Sequence, residues 1–177
     1  MLFDIDPILT GDLLKALDEM GHGDSVVIAD AHFTASKLAA KHLVYLPGLS
    51  SPKVLGAIRT VIVPDEYEDF QLGLMASPGE LLPVQTELIH AARLDDATVS
   101  AGPDTPNPDP ARVRLLSRQE FYDRAARAEL IVRTGETRAY GNALFFKGVT
   151  PTKGVTLITG ATPAEGVAPA DIPVPTG

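Results

Sequence analysis

Residues 21–32 of the chain read Gly-His-Gly-Asp-Ser-Val-Val-Ile-Ala-Asp-Ala-His. The centre of this stretch is an apolar run from Val26 to Ala29, which begins after two glycines and ends at Asp30. A short apolar run without polar alternation is typical of a strand that is buried on both faces. The stretch therefore predicts a strand in the interior of a sheet.

The segment before this strand has the pattern of a helix. Thr10 can cap the N-terminus, Asp12 suits the positive end of the helix dipole, and apolar residues recur at helical spacing from Leu13 to Met20. Gly21 is predicted to end the helix in the left-handed conformation.

Similar patterns continue along the rest of the chain. Further strands are predicted at 42–46, 71–76, 113–116, 130–134 and 143–147, and helices at 51–61, 83–92 and 117–128. Ser117 is predicted to cap the last of these helices, with Glu120 completing a capping box. The alternation of strands and helices predicts an α/β layered fold with a mainly parallel central sheet flanked by helices.

Length and composition favour a single soluble domain. The chain has 177 residues, of which 45% are hydrophobic and 21% charged, and it contains no cysteine. We therefore expect no disulfide framework. The net charge of −8 disfavours nucleic acid and an anionic membrane surface as partners. No signal-peptide pattern or membrane-spanning run is found, so a cytoplasmic location is expected.

Two segments depart from the pattern of a packed domain. Four prolines in residues 102–110 predict a loop. Residues 152–177 are rich in Pro, Gly, Ala and Thr and form a C-terminal extension to a domain of residues 1–151. Our hypothesis is that this extension packs on a neighbouring subunit.

His22 and Asp30 are the first candidates for chemistry. Imidazole titrates near neutral pH, and the glycines beside His22 leave room for a ligand against its ring. Asp30 follows a strand, and ligands of α/β proteins gather at the carboxyl ends of strands. The alternative is structural, with His22 in an ordinary loop and Asp30 capping the next turn.

A second group of candidates lies in the C-terminal half. Tyr140-Gly141-Asn142 separates two predicted strands and can form either a turn or part of a site, since a phenol and a carboxamide both hydrogen-bond sugar hydroxyls. Arg118 and Tyr122 are four residues apart near the start of a predicted helix and are also candidates for the site. The structural alternative is that the arginine is solvated and the tyrosine ring is packed.

The sequence offers little support for a metal or cofactor. His32 could join His22 at a metal, but no His-x-x-x-His motif or carboxylate-rich helix accompanies the two residues. His42 and His90 fall in predicted regular structure. Nucleotide-binding glycine motifs and the Gly-x-Ser-x-Gly nucleophile elbow are missing from the sequence, so we expect no cofactor and no resident metal.

Taken together, these motifs resemble the L-fucose mutarotase and D-ribose pyranase family. The resemblance covers residues 1–151 and is weaker between 37 and 112. Its motifs are Ile5-Asp6-Pro7-Ile8-Leu9, Leu13-Leu14-Lys15-Ala16-Leu17, Glu19-Met20-Gly21-His22-Gly23-Asp24, Ile28-Ala29-Asp30-Ala31-His32-Phe33, Phe121-Tyr122-Asp123-Arg124-Ala125, Thr134-Gly135-Glu136, Tyr140-Gly141-Asn142 and Lys147-Gly148-Val149-Thr150-Pro151.

The resemblance implies roles for the candidate residues. His22 is expected to be the general acid/base, and Asp30 a carboxylate that binds the sugar. Arg118 and Tyr140-Gly141-Asn142 are expected to supply further sugar contacts. Arg118 occupies a position where the ribose branch tends to have histidine, so the fucose branch is favoured.

The resemblance also implies an activity and an assembly. The expected reaction is interconversion of the α and β anomers of a fucose-like monosaccharide by acid/base catalysis. Family members form ring-like homo-oligomers, commonly decamers, with sites near the subunit interfaces.

Alternatives are a pyranase acting on ribose or another pentose, and a non-catalytic sugar-binding or transport-accessory protein. Thr34 stands where fucose enzymes often have proline, and the 102–110 loop and the C-terminal extension exceed the family pattern, so the exact sugar stays open.

Overall fold

The computed structural model describes residues 2–39, 41–97, 99–101 and 112–150. Its helices are α1 (Gly11–Glu19), α2 (Ala35–Leu38), α3 (Ser51–Ile58), α4 (Pro83–Ala91) and α5 (Arg118–Ala125). Its strands are β1 (Ser25–Ala29), β2 (His42–Leu46), β3 (Leu72–Met75), β4 (Val99–Ala101), β5 (Val113–Leu116), β6 (Leu130–Thr134) and β7 (Ala143–Phe146). The 102–110 loop and the 152–177 extension lie outside the described residues.

The strands form one sheet with the order β2-β6-β1-β7-β3-β5-β4. Strand β1 pairs parallel with β6, and β6 pairs parallel with β2. In the other half of the sheet, beyond β7, the strands β3, β5 and β4 are parallel to one another. Strand β7 joins the two halves and is antiparallel to both β1 and β3. The predicted α/β fold with a mainly parallel sheet is confirmed.

Strand β1 lies inside the sheet and is buried along its whole length. Val26 and Ile28 point into a core formed with α1, α3 and α4. Val27 and Ala29 point to the opposite face, where they pack with apolar residues that include Phe121 of α5. Because helices cover both faces of the sheet, the strand tolerates no charged side chain between its ends.

Helix α1 begins as predicted and ends differently. The Thr10 hydroxyl accepts a hydrogen bond from the amide of Leu13. At the other end Met20 adopts an extended conformation, and Gly21 does not have the positive φ that was predicted for it. Lys147 directly follows β7, and its ammonium instead donates to the carbonyls of Leu17 and Met20, at 2.8 and 2.6 Å, at the end of the helix.

Helix α5 has half of the expected capping box. The Ser117 hydroxyl accepts from the Glu120 amide, whereas the Glu120 carboxylate accepts from Arg124 one turn later. Two short elements, α2 and β4, were not predicted. None of the helices in the described parts of the chain is both long and apolar enough to cross a bilayer.

The turn after β6 requires glycine at position 135. A Cβ added to Gly135 would lie 1.9 Å from the carbonyl oxygen of Pro47, and the Gly135 amide donates to the carbonyl of Leu49. The loop that leaves β6 is thereby held against the loop that follows β2. A side chain at this position would push the two loops apart.

We expect Gly135→Ala to lower the free energy of unfolding by about 1–3 kcal/mol because of this overpacking. Gly48→Ala is the matched control, since a Cβ at Gly48 meets nothing within 4 Å. The control should be neutral or stabilising by up to about 1 kcal/mol. Urea unfolding followed by far-UV circular dichroism, at one protein concentration, measures both. Equal effects of the two substitutions would contradict the steric explanation.

Candidate functional site

A pocket of about 330 Å³ opens where β1 and β3 end and β7 begins. Because β7 runs antiparallel to its neighbours β1 and β3, its first residues lie at the edge of the sheet where those two strands end. The pocket is lined by Asp30, His32, Phe33, Met75, Arg118, Tyr122, Ala139, Tyr140 and Asn142. Polar side chains from distant parts of the chain thus converge on one cavity, as in most small-molecule sites.

The base of the pocket is a reciprocal pair between Asp30 and Asn142. The Asn142 carboxamide donates to Asp30 Oδ2 at 2.6 Å, and the Asp30 amide donates back to Asn142 Oδ1 at 2.9 Å. Asp30 Oδ1 also accepts from the His32 amide. Asp30 and Asn142 are only 4% and 3% exposed. The pair fixes both side chains, and each carboxylate oxygen keeps a lone pair for a ligand hydroxyl.

The loop between β6 and the pocket is stabilised by an ion pair between an exposed arginine and a buried carboxylate. The Arg138 guanidinium donates to both carboxylate oxygens of Glu136, which is buried, and also binds Glu87. These hydrogen bonds from Arg138 hold the pKa of the Glu136 carboxyl below its ordinary value, so Glu136 is ionised at neutral pH. The Glu136 carbonyl accepts from the Ala31 amide and ties this loop to the turn after β1.

Gly141 permits the loop to approach Glu136 closely. A Cβ at this position would lie 2.6 Å from Glu136 Cγ and 3.2 Å from the Arg138 carbonyl oxygen. The side chain of the preceding residue, Tyr140, lines the pocket, and its backbone adopts a φ of 62°. A positive φ is uncommon for an aromatic residue, so the surrounding loop imposes the orientation of this phenol.

Two aromatic rings and one arginine form the side of the pocket next to α5. The Phe33 ring lies 5.0 Å from the Tyr122 ring, and the Arg118 guanidinium lies 5.6 Å from the centre of the same Tyr122 ring. Arg118 is the first residue of α5 and is exposed to solvent. Its side chain lines the pocket. The pocket combines a carboxylate, a carboxamide, a guanidinium, an imidazole and two phenols, which together match a small polyhydroxylated molecule.

His22 does not lie in this pocket. It precedes β1, whereas Asp30 follows β1, and the strand alone separates the two sheet edges by about 13 Å at about 3.3 Å per residue. The His22 side chain is 64% exposed, and its Nδ1 lies 3.5 Å from Asp65 Oδ2. Within one protomer, therefore, the predicted acid/base residue and the predicted sugar-binding residues are on opposite edges of the sheet.

Comparison with known proteins identifies the family. A family model described as the RbsD / FucU transport protein family matches residues 3–150. The chain belongs to the RbsD/FucU family. This result confirms the resemblance that the sequence motifs indicated.

Named members of the RbsD/FucU family are similar over nearly their whole length. An L-fucose mutarotase from Haemophilus influenzae is 41% identical over 152 residues, which cover 85% of this chain and 99% of that protein. An L-fucose mutarotase from Actinobacillus pleuropneumoniae is 38% identical over 154 residues, with coverage of 86% and 100%. A solved structure of the fucose mutarotase from Streptococcus pneumoniae in complex with L-fucose is 32% identical, with a TM-score of 0.71 and coverage of 85% and 100%.

Against this family background, the structure brings together four of the six predicted site residues: Asp30, Arg118, Tyr140 and Asn142. Gly141 lies behind the pocket lining, and its contribution to binding stays a prediction, as does the catalytic role of His22. The pairing of His22 with His32 at a metal, which the sequence disfavoured, does not occur within one protomer, because the two histidines are at opposite ends of β1. Among the described residues no cluster of three or more His, Cys, Asp or Glu side chains is arranged for a metal.

Sequence reasoning did not assign several lining residues to the site. Phe33 and Met75 are apolar residues in or next to regular structure and looked like ordinary core positions. Tyr122 was considered as a neighbour of Arg118, and His32 as a metal ligand. A usable signal for Phe33 and His32 was their position directly after the strand that carries Asp30, because such turns line ligand sites in α/β folds.

The Asp30–Asn142 pair generates a prediction about stability. We expect Asn142→Asp to lower the free energy of unfolding by at least about 1–3 kcal/mol, because a buried carboxylate loses its donor and faces a second carboxylate. The exchanged variant Asp30→Asn with Asn142→Asp restores one donor and one carboxylate. This double variant should regain most of the lost free energy of unfolding, measured by urea unfolding at neutral pH. A double variant as unstable as Asn142→Asp would disprove the reciprocal pairing.

Proposed function

We propose that this chain is a mutarotase that interconverts the α and β anomers of L-fucose or a closely similar monosaccharide. The observation that supports this most strongly is the similarity to L-fucose mutarotases over nearly their full length. The polar pocket is a second support, since it presents hydrogen-bonding groups of several kinds to a ligand of sugar size.

The proposed reaction needs only proton transfers. A base removes the proton from the anomeric hydroxyl while an acid protonates the ring oxygen, and the bond between C1 and the ring oxygen breaks to give the open-chain aldehyde. Rotation about the bond between C1 and C2 presents the other face of the carbonyl, and the reverse transfers close the ring. A positioned acid/base group contributes about 10²- to 10⁴-fold to such steps. No electrons are gained or lost.

The pocket residues have complementary roles in this proposal. Asp30 accepts hydrogen bonds from sugar hydroxyls, and the Asn142 carboxamide keeps its carboxylate in place. Arg118 donates from the pocket mouth, and the Tyr140 phenol can donate or accept. Tight orientation of the hydroxyls holds the anomeric carbon at a constant position relative to the acid/base group.

The position of His22 leads us to propose that the active site is formed by two copies of the chain. His22 is exposed at the edge of the sheet opposite the pocket, so its ring cannot reach a sugar bound by Asp30 of the same protomer. In an assembly in which one surface contacts a different surface of the next copy, His22 of one protomer can face the pocket of its neighbour. Contacts of this kind form a ring when the rotation between successive copies closes. A ring-shaped homo-oligomer, with a decamer expected from the family resemblance, therefore accompanies the proposed activity.

Saturation-transfer NMR on equilibrated L-fucose tests the reaction. We expect the protein to accelerate exchange between the two anomers, and His22→Ala to abolish most of the acceleration because the acid/base group is removed. His90→Ala is the matched control, since His90 is exposed and pairs with Asp95 away from the pocket. It should leave the exchange rate unchanged.

The same measurement on D-ribose separates the alternatives. Enhanced exchange between the pyranose and furanose forms of ribose, without exchange of fucose anomers, would move the assignment to a pyranase. Specific binding of fucose or ribose without any enhanced exchange would indicate a sugar-binding protein and overturn the proposed activity.

Mixed oligomers test the two-copy site. We expect His22→Ala and Arg118→Ala homo-oligomers each to have low activity, and hetero-oligomers made by co-expressing both chains in equal amounts to recover about a quarter of the wild-type rate. This fraction follows because half of the pockets and half of the neighbouring histidines are intact, and they combine at random. Activity that stays at the level of the single variants would show that both residues act within one protomer.

A further inference from the structure

We propose that Asp65 is a positioning residue that holds the His22 ring in the orientation and tautomer required for proton transfer. The inference rests on the proposed role of His22. It concerns a residue that no sequence motif singled out and that lies outside the sugar pocket.

Asp65 is a buried carboxylate directed at the loop that carries His22. Its side chain is 0% exposed, and Oδ2 lies 3.5 Å from His22 Nδ1. The same oxygen accepts from the Gly23 amide at 2.9 Å, while Oδ1 accepts from the Tyr67 amide at 2.7 Å. A buried carboxylate is costly unless it is hydrogen-bonded, and here the Gly23 and Tyr67 amides supply the hydrogen bonds while the His22 ring lies next to Oδ2.

The backbone around Asp65 is fixed by the end of the central sheet. The Asp65 amide donates to the Phe146 carbonyl, and Pro64 forms an isolated antiparallel bridge with Lys147. Gly148 packs so closely that a Cβ would lie 2.3 Å from the Pro64 carbonyl oxygen. The Lys147 carbonyl in turn accepts a hydrogen bond from the Gly23 amide. Asp65 is therefore anchored to β7, and it transmits that rigidity to an exposed histidine.

Two further acidic residues lie close to the His22 loop, Asp24 and Glu68, and a Cβ added to Gly23 would lie 3.4 Å from Glu68 Oε1. Asp24 Oδ2 accepts from the Gly21 amide at 2.8 Å and shapes the turn around the histidine. The Tyr67 ring, 83% exposed, lies at 6.3 Å from the His22 ring in an edge-on arrangement. The Tyr67 ring and the Asp65 carboxylate therefore both lie next to the imidazole, and the turn sets the position of its backbone.

This arrangement determines which ring nitrogen is available for chemistry. A carboxylate facing Nδ1 favours the tautomer with its proton on Nδ1, which leaves Nε2 as the basic nitrogen directed outward. The separation of 3.5 Å is longer than an ordinary hydrogen bond, and such contacts often shorten when a substrate complex forms. Nε2 is then the atom that exchanges protons with the sugar, and Asp65 acts through the ring without touching the substrate.

Nitrogen-15 NMR of the full-length protein, labelled at its histidine ring nitrogens, tests the tautomer directly. The measurement is made at a pH high enough for neutral imidazole, and the His22 signals are assigned from their loss in His22→Ala. We expect the wild-type protein to show His22 with its proton on Nδ1. A neutral His22 with its proton on Nε2 would overturn the proposal, and the tautomer is read from the wild-type protein itself.

Asp65→Asn tests the consequence for catalysis. We expect kcat for fucose anomer exchange to fall about 10- to 100-fold while KM changes less than about twofold, because an orienting contact is lost and the sugar contacts remain. The tautomer population should shift toward the proton on Nε2. Glu66→Gln is the matched control, because it removes an exposed carboxylate from the same loop and should change neither quantity. Circular dichroism and size-exclusion chromatography verify that both variants keep the wild-type fold and assembly.

A double variant separates the two proposals. If Asp65 acts only through His22, adding Asp65→Asn to His22→Ala should leave the residual rate unchanged. A further loss in the double variant would assign Asp65 a general structural role and overturn the inference. If His22→Ala itself retains full activity, the proposed catalytic role of His22 fails, whereas the tautomer measurement still reports whether Asp65 orients the ring.

Discussion

The burial of β1 on both faces and both sides is the constraint on which the rest of this structure depends. The strand pairs with β6 and β7, and helices cover its upper and lower faces, so its interior holds only small and apolar side chains. Polar chemistry is possible only where the strand begins and where it ends. Those two positions carry His22 with its glycines and Asp30 with the pocket.

This constraint also explains why the two candidate groups are far apart within one protomer and why we propose that a second copy brings them together. In a head-to-tail interface, two different surfaces of the same chain meet. Here one surface presents an exposed histidine and the other contains a pocket. The proposed site depends on assembly, since neither edge of the sheet holds both the predicted acid/base group and the predicted sugar contacts. The proposed role of Asp65 fits this arrangement, because an exposed histidine that is to act on a neighbouring copy needs support from its own chain.

Much of the fold was predictable because its signals are local. The β1 run, the strand at residues 42–46 and the Thr10 cap were all correct, as these depend on neighbouring residues in the sequence. Two helix-end predictions were wrong for a common reason. The end of α1 is satisfied by Lys147 and not by a left-handed Gly21, and the Glu120 carboxylate bonds to Arg124 in preference to completing the capping box. In both cases a side chain competed with the local pattern, in the first from a distant part of the chain.

By itself, the sequence determined the fold class, the family and the identity of the polar residues at the ends of the strands, because periodicity and motifs are properties of short segments. Tertiary structure decided which of those residues meet. It placed Asp30 against Asn142 across 112 positions of sequence, separated His22 from both, and set the buried Asp65 beside His22. The physical reason is that sheet order and the direction of β7 arise from long-range pairing, which no local pattern encodes.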